Sequence, residues 1–243
     1  MYMQVKKICL IIVASLFFAN CTIDGQTKRV LVFSKTTGYR HESIETGVKA
    51  IKTLGVTHAF DVDATEDVTY FNSDSLKKYN AIIFLNTTED IFNKKQEESF
   101  KKYIQAGGGF VGIHAAADTE YKWPWYGKLV GAYFESHPPG LHQANIHIKD
   151  TTHLSTKSLP KVWSHNDEWY NYKTISPDIK ILANLDETSY TGGTNGKNHP
   201  ISWYQEYDGG KMFYTGLGHP KEAYKDANFL AHLLGGIQYV IAD

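Results

Sequence analysis

The sequence predicts an α/β fold with a mainly parallel central sheet, helices on both faces and a strand-rich extension of the same sheet. Short apolar runs recur in the first half of the chain, bounded by polar or glycine-rich segments. Such runs are typical of strands that are buried on both faces. Amphipathic helical patterns alternate with these runs, as they do in β-α-β units. After residue 120 the helical patterns give way to alternating, strand-like segments.

The first half of the chain contains four predicted strands, at residues 29–34, 59–62, 81–85 and 110–113. The first helix is predicted to open at His41 and to end at Gly55, since glycine commonly ends helices. A short helix or turn is expected at 74–78, and an amphipathic helix at 93–105. The order of these elements indicates a parallel sheet.

The second half is predicted to be richer in strands, at residues 142–149, 162–172, 179–185, 200–207 and 210–215. The last two strands are separated by Asp208 and Gly209, a pair typical of tight hairpin turns. A short helix is expected at 125–130, and a closing helix at 222–240 with Phe229 and Leu233 on its inner side. No repeat or second domain is indicated.

The N-terminal segment resembles a targeting signal rather than part of the fold. Lys6 and Lys7 precede an apolar run at 8–19 that is short for a membrane span. The run leads into Cys21, as in bacterial lipoprotein signals, where the cysteine becomes the lipidated first residue. We therefore predict three segments: a signal peptide of the lipoprotein type at 1–20, a tether at 21–27 and one domain at 28–243.

This segment predicts a location in the periplasm or cell envelope, with contact to the membrane through a lipid anchor on Cys21 only. The alternative is plain secretion with cleavage nearby. Cys9 and Cys21 are the only cysteines, so the remaining chain has no disulfide, thiolate nucleophile or cysteine metal ligand. Export without disulfides is common in a Gram-negative periplasm.

Charge and composition narrow the classes of ligand. The net charge is −1 and no basic stripe is present, which argues against nucleic acid as a partner. The chain contains 16 Tyr, 12 Phe and 5 Trp, and exposed aromatic rings are common where proteins bind sugars. The alternative is a core and rim that are rich in tyrosine, which composition does not distinguish from a sugar site.

The segment from Gly107 to Asp118, with the sequence GGGFVGIHAAAD, is the most informative part of the chain. Its apolar strand stops at His114, and three alanines follow. In an open α/β sheet, ligands bind just beyond the carboxyl ends of such strands. His114 is therefore predicted to lie in a functional site. The alternative is a histidine that is hydrogen-bonded in the core.

Six other titratable residues also stand at predicted strand ends. They are His41, Asp118, His137, Asp167, Glu168 and His219. Residues at the same edge of a sheet converge in space even when they are distant in sequence. Histidines and carboxylates can act as general acids and bases near neutral pH. The same set suits Zn²⁺, although no closely spaced metal motif such as HExxH is present.

At these positions the chain resembles the ThuA-like (trehalose utilisation) family. The matching segments, in order, are FSKTTGYRHESI at 33–44, GGGFVGIHAAAD at 107–118, SHPPG at 136–140, DEWY at 167–170 and FYTGLGHP at 213–220. The resemblance spans nearly the whole of 28–243. It implies a class I glutamine amidotransferase-like architecture, which is a flavodoxin-like three-layer sandwich. It also implies a role in sugar catabolism, often beside sugar oxidoreductases, without fixing the reaction.

One departure from the amidotransferases affects the predicted activity. In those enzymes the turn after the corresponding strand carries a nucleophilic cysteine, and here His114 stands in that place. Imidazole does not form the thioester that glutaminase chemistry requires. The protein is therefore predicted not to be a glutaminase.

The candidate residues have predicted roles, each with a structural alternative such as capping a turn or packing in the core. The catalytic candidates, which are also the candidate ligands for a divalent metal such as Zn²⁺, are His114, Glu168 and His219. The candidates for substrate binding are Tyr39, His41, Asp118, His137, Asp167 and Trp169. A sugar platform could be formed by Trp123, Trp125, Trp169 and Tyr170.

Three functions stay open at this point. The leading hypothesis is an exported enzyme, a hydrolase, lyase or isomerase, that acts on a sugar or keto-sugar derivative by histidine and carboxylate acid–base chemistry. The second is a non-catalytic sugar-binding accessory protein. The third is a metal-dependent, amidase-like hydrolase unrelated to sugars. No motif requires a cofactor, and the oligomeric state is not predicted.

Overall fold

A computed structural model describes residues 27–242. The predicted signal peptide, Cys21 and almost all of the predicted tether lie outside these residues. Within 27–242, no helix has the length and apolar character needed to cross a membrane.

Eleven strands and five α-helices are formed by the described residues. The strands are β1 Lys28–Phe33, β2 Phe60–Thr65, β3 Ala81–Leu85, β4 Gly109–Ile113, β5 Tyr133–Ser136, β6 His142–Ile148, β7 Val162–Asp167, β8 Asn171–Lys173, β9 Lys180–Leu185, β10 His199–Tyr207 and β11 Gly210–Thr215. The helices are α1 Ile44–His58, α2 Ser73–Leu76, α3 Lys94–Gln105, α4 Pro124–Val130 and α5 Ala227–Ile241.

Nine of these strands form one sheet in the order β2-β1-β3-β4-β11-β10-β9-β6-β7, while β5 pairs with β8. The strands from β2 to β11 pair in parallel, and those from β11 to β7 pair antiparallel. The α/β class is confirmed, and the sheet is parallel from β2 to β11 and antiparallel in the strand-rich extension. The physical cause is the tight turn at Asp208 and Gly209, which reverses the chain between β11 and β10.

Helices cover both faces of the sheet. Phe213 and Tyr214 are adjacent in β11, so their side chains point to opposite faces. Phe213 lies against Gly236 of α5, where a Cβ atom would come within 2.2 Å of its ring. Tyr214 stacks on Trp203, whose indole N–H donates to the carbonyl of Val130 in α4. The strands β3 and β4 between these layers are buried along their whole length.

Two helix ends differ from the prediction. α1 continues past Gly55 to His58, and Ala59 ends it in the left-handed conformation. Gly55 instead allows the helix to approach β2, because a Cβ atom there would lie 2.6 Å from the carbonyl oxygen of Phe60. The predicted closing helix is divided by Asp226, whose carboxylate caps the start of α5.

The segment predicted as a single strand at 162–172 is also divided. β7 ends at Asp167, and β8 begins at Asn171 in the separate two-stranded sheet. The residues between them, Glu168 to Tyr170, therefore leave the main sheet. This break brings Glu168 to the edge where the parallel strands end.

Candidate functional site

Four side chains converge at the carboxyl edge of the parallel strands: His41, His114, Glu168 and His219. Each offers one nitrogen or oxygen atom, and these four atoms all lie within 4.8 Å of one another. They follow β1, β4, β7 and β11 in the chain. β1, β4 and β11 run parallel within the sheet, so the loops after them open at the same edge.

The backbone fixes the orientation of the His114 ring. Its Nδ1 atom lies 2.8 Å from the carbonyl oxygen of Gly216. A carbonyl oxygen only accepts hydrogen bonds, so in the neutral ring Nδ1 carries the proton and Nε2 keeps its lone pair. This Nε2 atom faces His219 at 3.3 Å and Glu168 at 3.4 Å. His114 itself has a φ of +48°, a conformation that is costly for a non-glycine residue and is often found at functional sites.

Glu168 and His219 form an ion pair within this cluster. Oε2 of Glu168 lies 3.2 Å from Nδ1 of His219. Burial by itself would raise the pKa of Glu168, but hydrogen bonds and charges from His114 and His219 hold it well below its usual range. Burial opposes the charging of His219, but its hydrogen bond to Glu168 raises the pKa of His219. Glu168 is therefore a carboxylate near neutral pH.

His41 completes the cluster as a neutral imidazole. Its residue is only 2% exposed, and its ring centroid lies 5.0 Å from those of both His114 and His219. Burial, and then the neighbouring histidines, lower the pKa of His41 to about 2. Its Nδ1 atom is buried and makes no hydrogen bond to any residue in 27–242. A buried polar atom without a partner is costly, so this nitrogen calls for a ligand or proton partner that residues 27–242 do not supply.

The spacing of three members of the cluster, His114, Glu168 and His219, fits three corners of a tetrahedral metal site. Zinc–ligand bonds of about 2.0–2.1 Å place neighbouring ligand atoms about 3.3 Å apart at the corners of a tetrahedron. The three measured separations among His114, Glu168 and His219 are 3.2, 3.3 and 3.4 Å. Three imidazoles and one carboxylate are also a ligand set that suits Zn²⁺ and similar divalent metals.

The predicted substrate-binding residues that remain partly open to solvent are Tyr39, His137 and Asp118. Tyr39 is 63% exposed, and its ring meets His41 edge-on at 4.9 Å. The His137 side chain is 35% exposed, and its Nδ1 lies 3.3 Å from Oε1 of Glu168. Asp118 accepts a hydrogen bond from the hydroxyl of Tyr121, and burial raises the pKa of Asp118. Tyr39 and His137 therefore lie at the solvent-exposed side of the cluster.

Two further predicted substrate-binding residues lie beneath the cluster and out of a ligand's reach. Asp167 is completely buried, and its carboxylate accepts hydrogen bonds from backbone N–H groups. Trp169 is also completely buried, and its indole N–H donates to the carbonyl of His142. Their polar atoms are already used inside the protein, which argues against the predicted contact with substrate.

The proposed aromatic platform is not assembled at this site. Trp123 and Trp125 stack on each other at 4.8 Å, and the indole of Trp125 donates to Asp208 at the opposite edge of the sheet. Tyr170 does contact the cluster, because its ring lies 4.1 Å from that of His114. It is buried, however, so it packs against the imidazole rather than offering a face to a ligand.

Sequence reasoning missed the residues that hold the backbone of the site. Gly216 acts only through its carbonyl oxygen, and no side chain signals that role. Ser43 and Asn86 both donate hydrogen bonds to the carbonyl of Gly218, next to His219. Asn86 follows β3 directly and has a φ of +52°, so its place at a strand end was the available signal.

Comparisons with known proteins place these features in a family context. The trehalose utilisation (ThuA) family matches residues 29–240 of the chain. No curated protein matches it significantly. A structure from Bacteroides uniformis, described as a ThuA-like protein, is 26% identical, with a TM-score of 0.76 over 88% of this chain and 91% of that one.

Two other solved structures show similarity of fold alone. A protein from Parabacteroides merdae described as ThuA-like is 22% identical, with a TM-score of 0.71 over 89% of this chain and 91% of that one. A β-galactosidase from Bacillus circulans sp. alkalophilus is 16% identical, with a TM-score of 0.56 over 89% of this chain but only 32% of that one. Both agree with the α/β architecture described above.

Proposed function

The chain belongs to the ThuA family, described as trehalose utilisation, and from this premise we propose that it is a metal-dependent enzyme acting on a sugar or keto-sugar derivative. The observation that carries the proposal is the convergence of His41, His114, Glu168 and His219, with ligand atoms within 4.8 Å of one another. Family membership supports a carbohydrate as the substrate, and the cluster supports a bound metal as the catalyst.

The residues of the cluster and its surroundings would have different roles in such a site. A divalent metal held by these residues would need a further coordination position for a water or a carbonyl oxygen, and there it would lower the pKa of the water or polarise the carbonyl. The Gly216 carbonyl keeps the Nε2 lone pair of His114 directed into the cluster. Glu168 supplies negative charge, and its second oxygen contacts His137. Because His137 is also partly exposed, it can pass a proton between the site and a ligand. This chemistry suits hydrolysis, elimination or isomerisation.

Several narrower statements belong to the same proposal. The flavodoxin-like, class I glutamine amidotransferase-like relationship is supported by the strand order β2-β1-β3-β4, continued in parallel by β11. Glutaminase chemistry is not proposed, since His114 stands where those enzymes carry a cysteine. Export to the periplasm or cell envelope, with a lipid on Cys21, is supported by Lys6, Lys7 and the apolar run after them. The proposed partner is a small carbohydrate.

The experiment compares turnover in the presence and absence of metal. Protein treated with a chelator is reloaded with Zn²⁺, Mn²⁺ or Co²⁺ and incubated with trehalose and with oxidised, keto-containing disaccharides. Products are followed by mass spectrometry. We expect turnover that requires metal and is lost in His114→Asn.

Two other outcomes would reject separate parts of the proposal. Turnover that resists chelators would remove the metal and leave the acid–base enzyme, which the Glu168–His219 ion pair would then serve. Saturable sugar binding without turnover under any metal condition would favour the non-catalytic accessory protein.

A further inference from the structure

A buried carboxylate joins two segments of the His41–His114–Glu168–His219 cluster that are distant in sequence. Asp167 is 0% exposed. Its Oδ1 accepts hydrogen bonds from the backbone N–H groups of Glu168 at 2.9 Å and His219 at 3.1 Å. Its Oδ2 accepts from the N–H of Gly218 at 2.8 Å. One side chain therefore holds the backbones of two members of the cluster.

The backbone before His219 is held by side chains rather than by a strand: Ser43, Asn86 and Tyr224 donate to the carbonyl of Gly218, and Asp167 accepts from the N–H groups. β11 ends at Thr215, and Gly218 has a φ of +113°, so the chain turns sharply before His219. A turn of this kind has several accessible conformations, and hydrogen bonds from outside the turn must select one. Asp167 supplies these bonds to two successive N–H groups, at Gly218 and His219.

A second histidine, His165, lies beside Asp167 without a hydrogen bond to it, and the carboxylate of Asp226 bonds to the other ring nitrogen of that histidine. Nε2 of His165 lies 3.4 Å from Oδ2 of Asp167, and its Nδ1 lies 3.1 Å from Oδ2 of Asp226. His165 is 6% exposed and packs against the rings of Trp163 and Phe229. Asp226 also caps α5, so the row of three side chains connects the last helix to the metal cluster.

We propose that Asp167 is a positioning residue that sets the metal affinity of the cluster, and that His165, fixed by Asp226, supports it by close contact. This inference rests on the proposed metal site and extends it to three residues that do not touch the metal. The physical reason is that groups which orient metal ligands change affinity about 10- to 100-fold when they are removed. Tetrahedral ligation leaves little tolerance for movement of Glu168 or His219.

The first test uses Co²⁺ as the probe and Asp167→Asn as the variant. Asparagine keeps one acceptor oxygen, but an amide nitrogen replaces the other. That nitrogen cannot accept the hydrogen bond from the N–H of Gly218. We expect Co²⁺ affinity to fall about 10- to 100-fold and the visible absorption band of the bound ion to change. Unchanged affinity together with an unchanged band would overturn the proposal.

Asp150→Asn is the matched control for this variant. Asp150 also accepts hydrogen bonds from two backbone N–H groups, those of Thr152 and His153, but at an exposed turn that does not contact the cluster. It should therefore bind Co²⁺ as the parent protein does. An equal loss of affinity in this control would show a general effect of the substitution and would reject a special role for Asp167.

Asp226→Asn tests the contact between Asp226 and His165. It also serves as a second variant if Asp167→Asn folds poorly. Asparagine caps helices as well as aspartate does, so α5 is retained while the charge facing His165 is removed. We expect a smaller loss of Co²⁺ affinity than in Asp167→Asn, and no further loss when the two changes are combined. Full, additive losses would show that Asp226 does not act through Asp167.

Hydrogen exchange in the metal-free protein separates this inference from the proposed function. The amides of Gly218 and His219 should exchange faster in Asp167→Asn than in the parent protein, while those of β3 are unchanged. If the parent protein binds no Co²⁺, the proposed metal site fails, and accelerated exchange would still support the positioning of His219. Identical exchange at both amides would overturn the positioning role whatever the metal does.

Discussion

Nε2 of His114 and Nδ1 of His219 lie 3.3 Å apart, although 105 residues separate them in the sequence. Oε2 of Glu168 lies within 3.4 Å of both nitrogens. Polar atoms crowded in a buried site are costly unless protons or a cation lie between them. The proton shared by Glu168 and His219 satisfies part of this cluster, and a divalent cation would replace it and also bind the Nε2 lone pair of His114.

The first prediction concerns His114→Asn. Asparagine tolerates the left-handed backbone at this position better than most residues, so the fold should be retained. The loss of one ligand nitrogen should weaken Zn²⁺ binding by at least about 100-fold, more than the loss of an outer-shell partner. Isothermal titration of chelator-treated protein with Zn²⁺ measures this. His58→Ala, at an exposed histidine, is the control, and equal binding by His114→Asn and the parent would contradict the prediction.

The second prediction concerns stabilisation by the metal. An ion that binds only the folded protein should raise the free energy of unfolding by about 2.7 kcal/mol at a concentration 100 times its Kd. Thermal denaturation with Zn²⁺ and with a chelator should therefore give different midpoints for the parent protein. Glu168→Gln, which removes the only carboxylate of the cluster, should show a much smaller difference. A midpoint that responds equally in both proteins would place the stabilising ion elsewhere.

The third prediction concerns pH and Glu120, which lies outside the site. Glu120 is 2% exposed, and its Oε1 accepts from the N–H groups of Ile91 and Phe92. Burial raises the pKa of Glu120 to about 7, although these two hydrogen bonds oppose the change. The folded state therefore favours the protonated form. Its contribution to stability is complete below the unfolded pKa of about 4.3 and is lost as the pH rises through 7.

Glu120→Gln tests this pH dependence directly. Glutamine keeps the accepting oxygen but does not ionise. The free energy of unfolding should therefore fall by up to about 3 kcal/mol less between about pH 4.3 and 7 than it does in the parent protein. Urea denaturation across this pH range measures it. Glu98→Gln, at an exposed position in α3, should keep the parent's slope. The same slope in Glu120→Gln as in the parent would disprove the assignment.

The fourth prediction concerns the start of α3. The side chain of Asn93 accepts from the N–H groups of Lys95 and Gln96, and Gln96 bonds back to the backbone of Asn93 in a capping box. Asn93→Ala should lower the free energy of unfolding by about 1 kcal/mol, measured by urea denaturation. Ser99→Ala is the control, since Ser99 bonds only to a carbonyl inside the helix. A loss no larger than that of the control would contradict the capping role.

Local patterns in the sequence were enough to predict much of the fold. β3 and the β10–β11 hairpin turn lie where predicted, because a continuous apolar run and an Asp–Gly pair each specify structure within a few residues. The direction in which β9, β6 and β7 join the sheet depends on contacts distant in sequence. The order and direction of these three strands therefore could not be predicted from local patterns.

The candidate site shows the same division between local and distant information. The rule that polar residues at strand ends converge identified His41, His114, Glu168 and His219 before any coordinates. Asp167 could not be distinguished from Glu168 in this way. The two residues are adjacent in the sequence. Because β7 ends at Asp167, the side chain of Glu168 lies in the cluster, while that of Asp167 bonds to the backbone of His219.

The most direct measurement of the central claim is anomalous X-ray scattering from crystals of the protein soaked in Zn²⁺. We predict one strong peak about 2.0–2.2 Å from nitrogen atoms of His41, His114 and His219 and from an oxygen of Glu168. The absence of a peak at this position, in crystals that bind Zn²⁺ at other sites, would contradict the account.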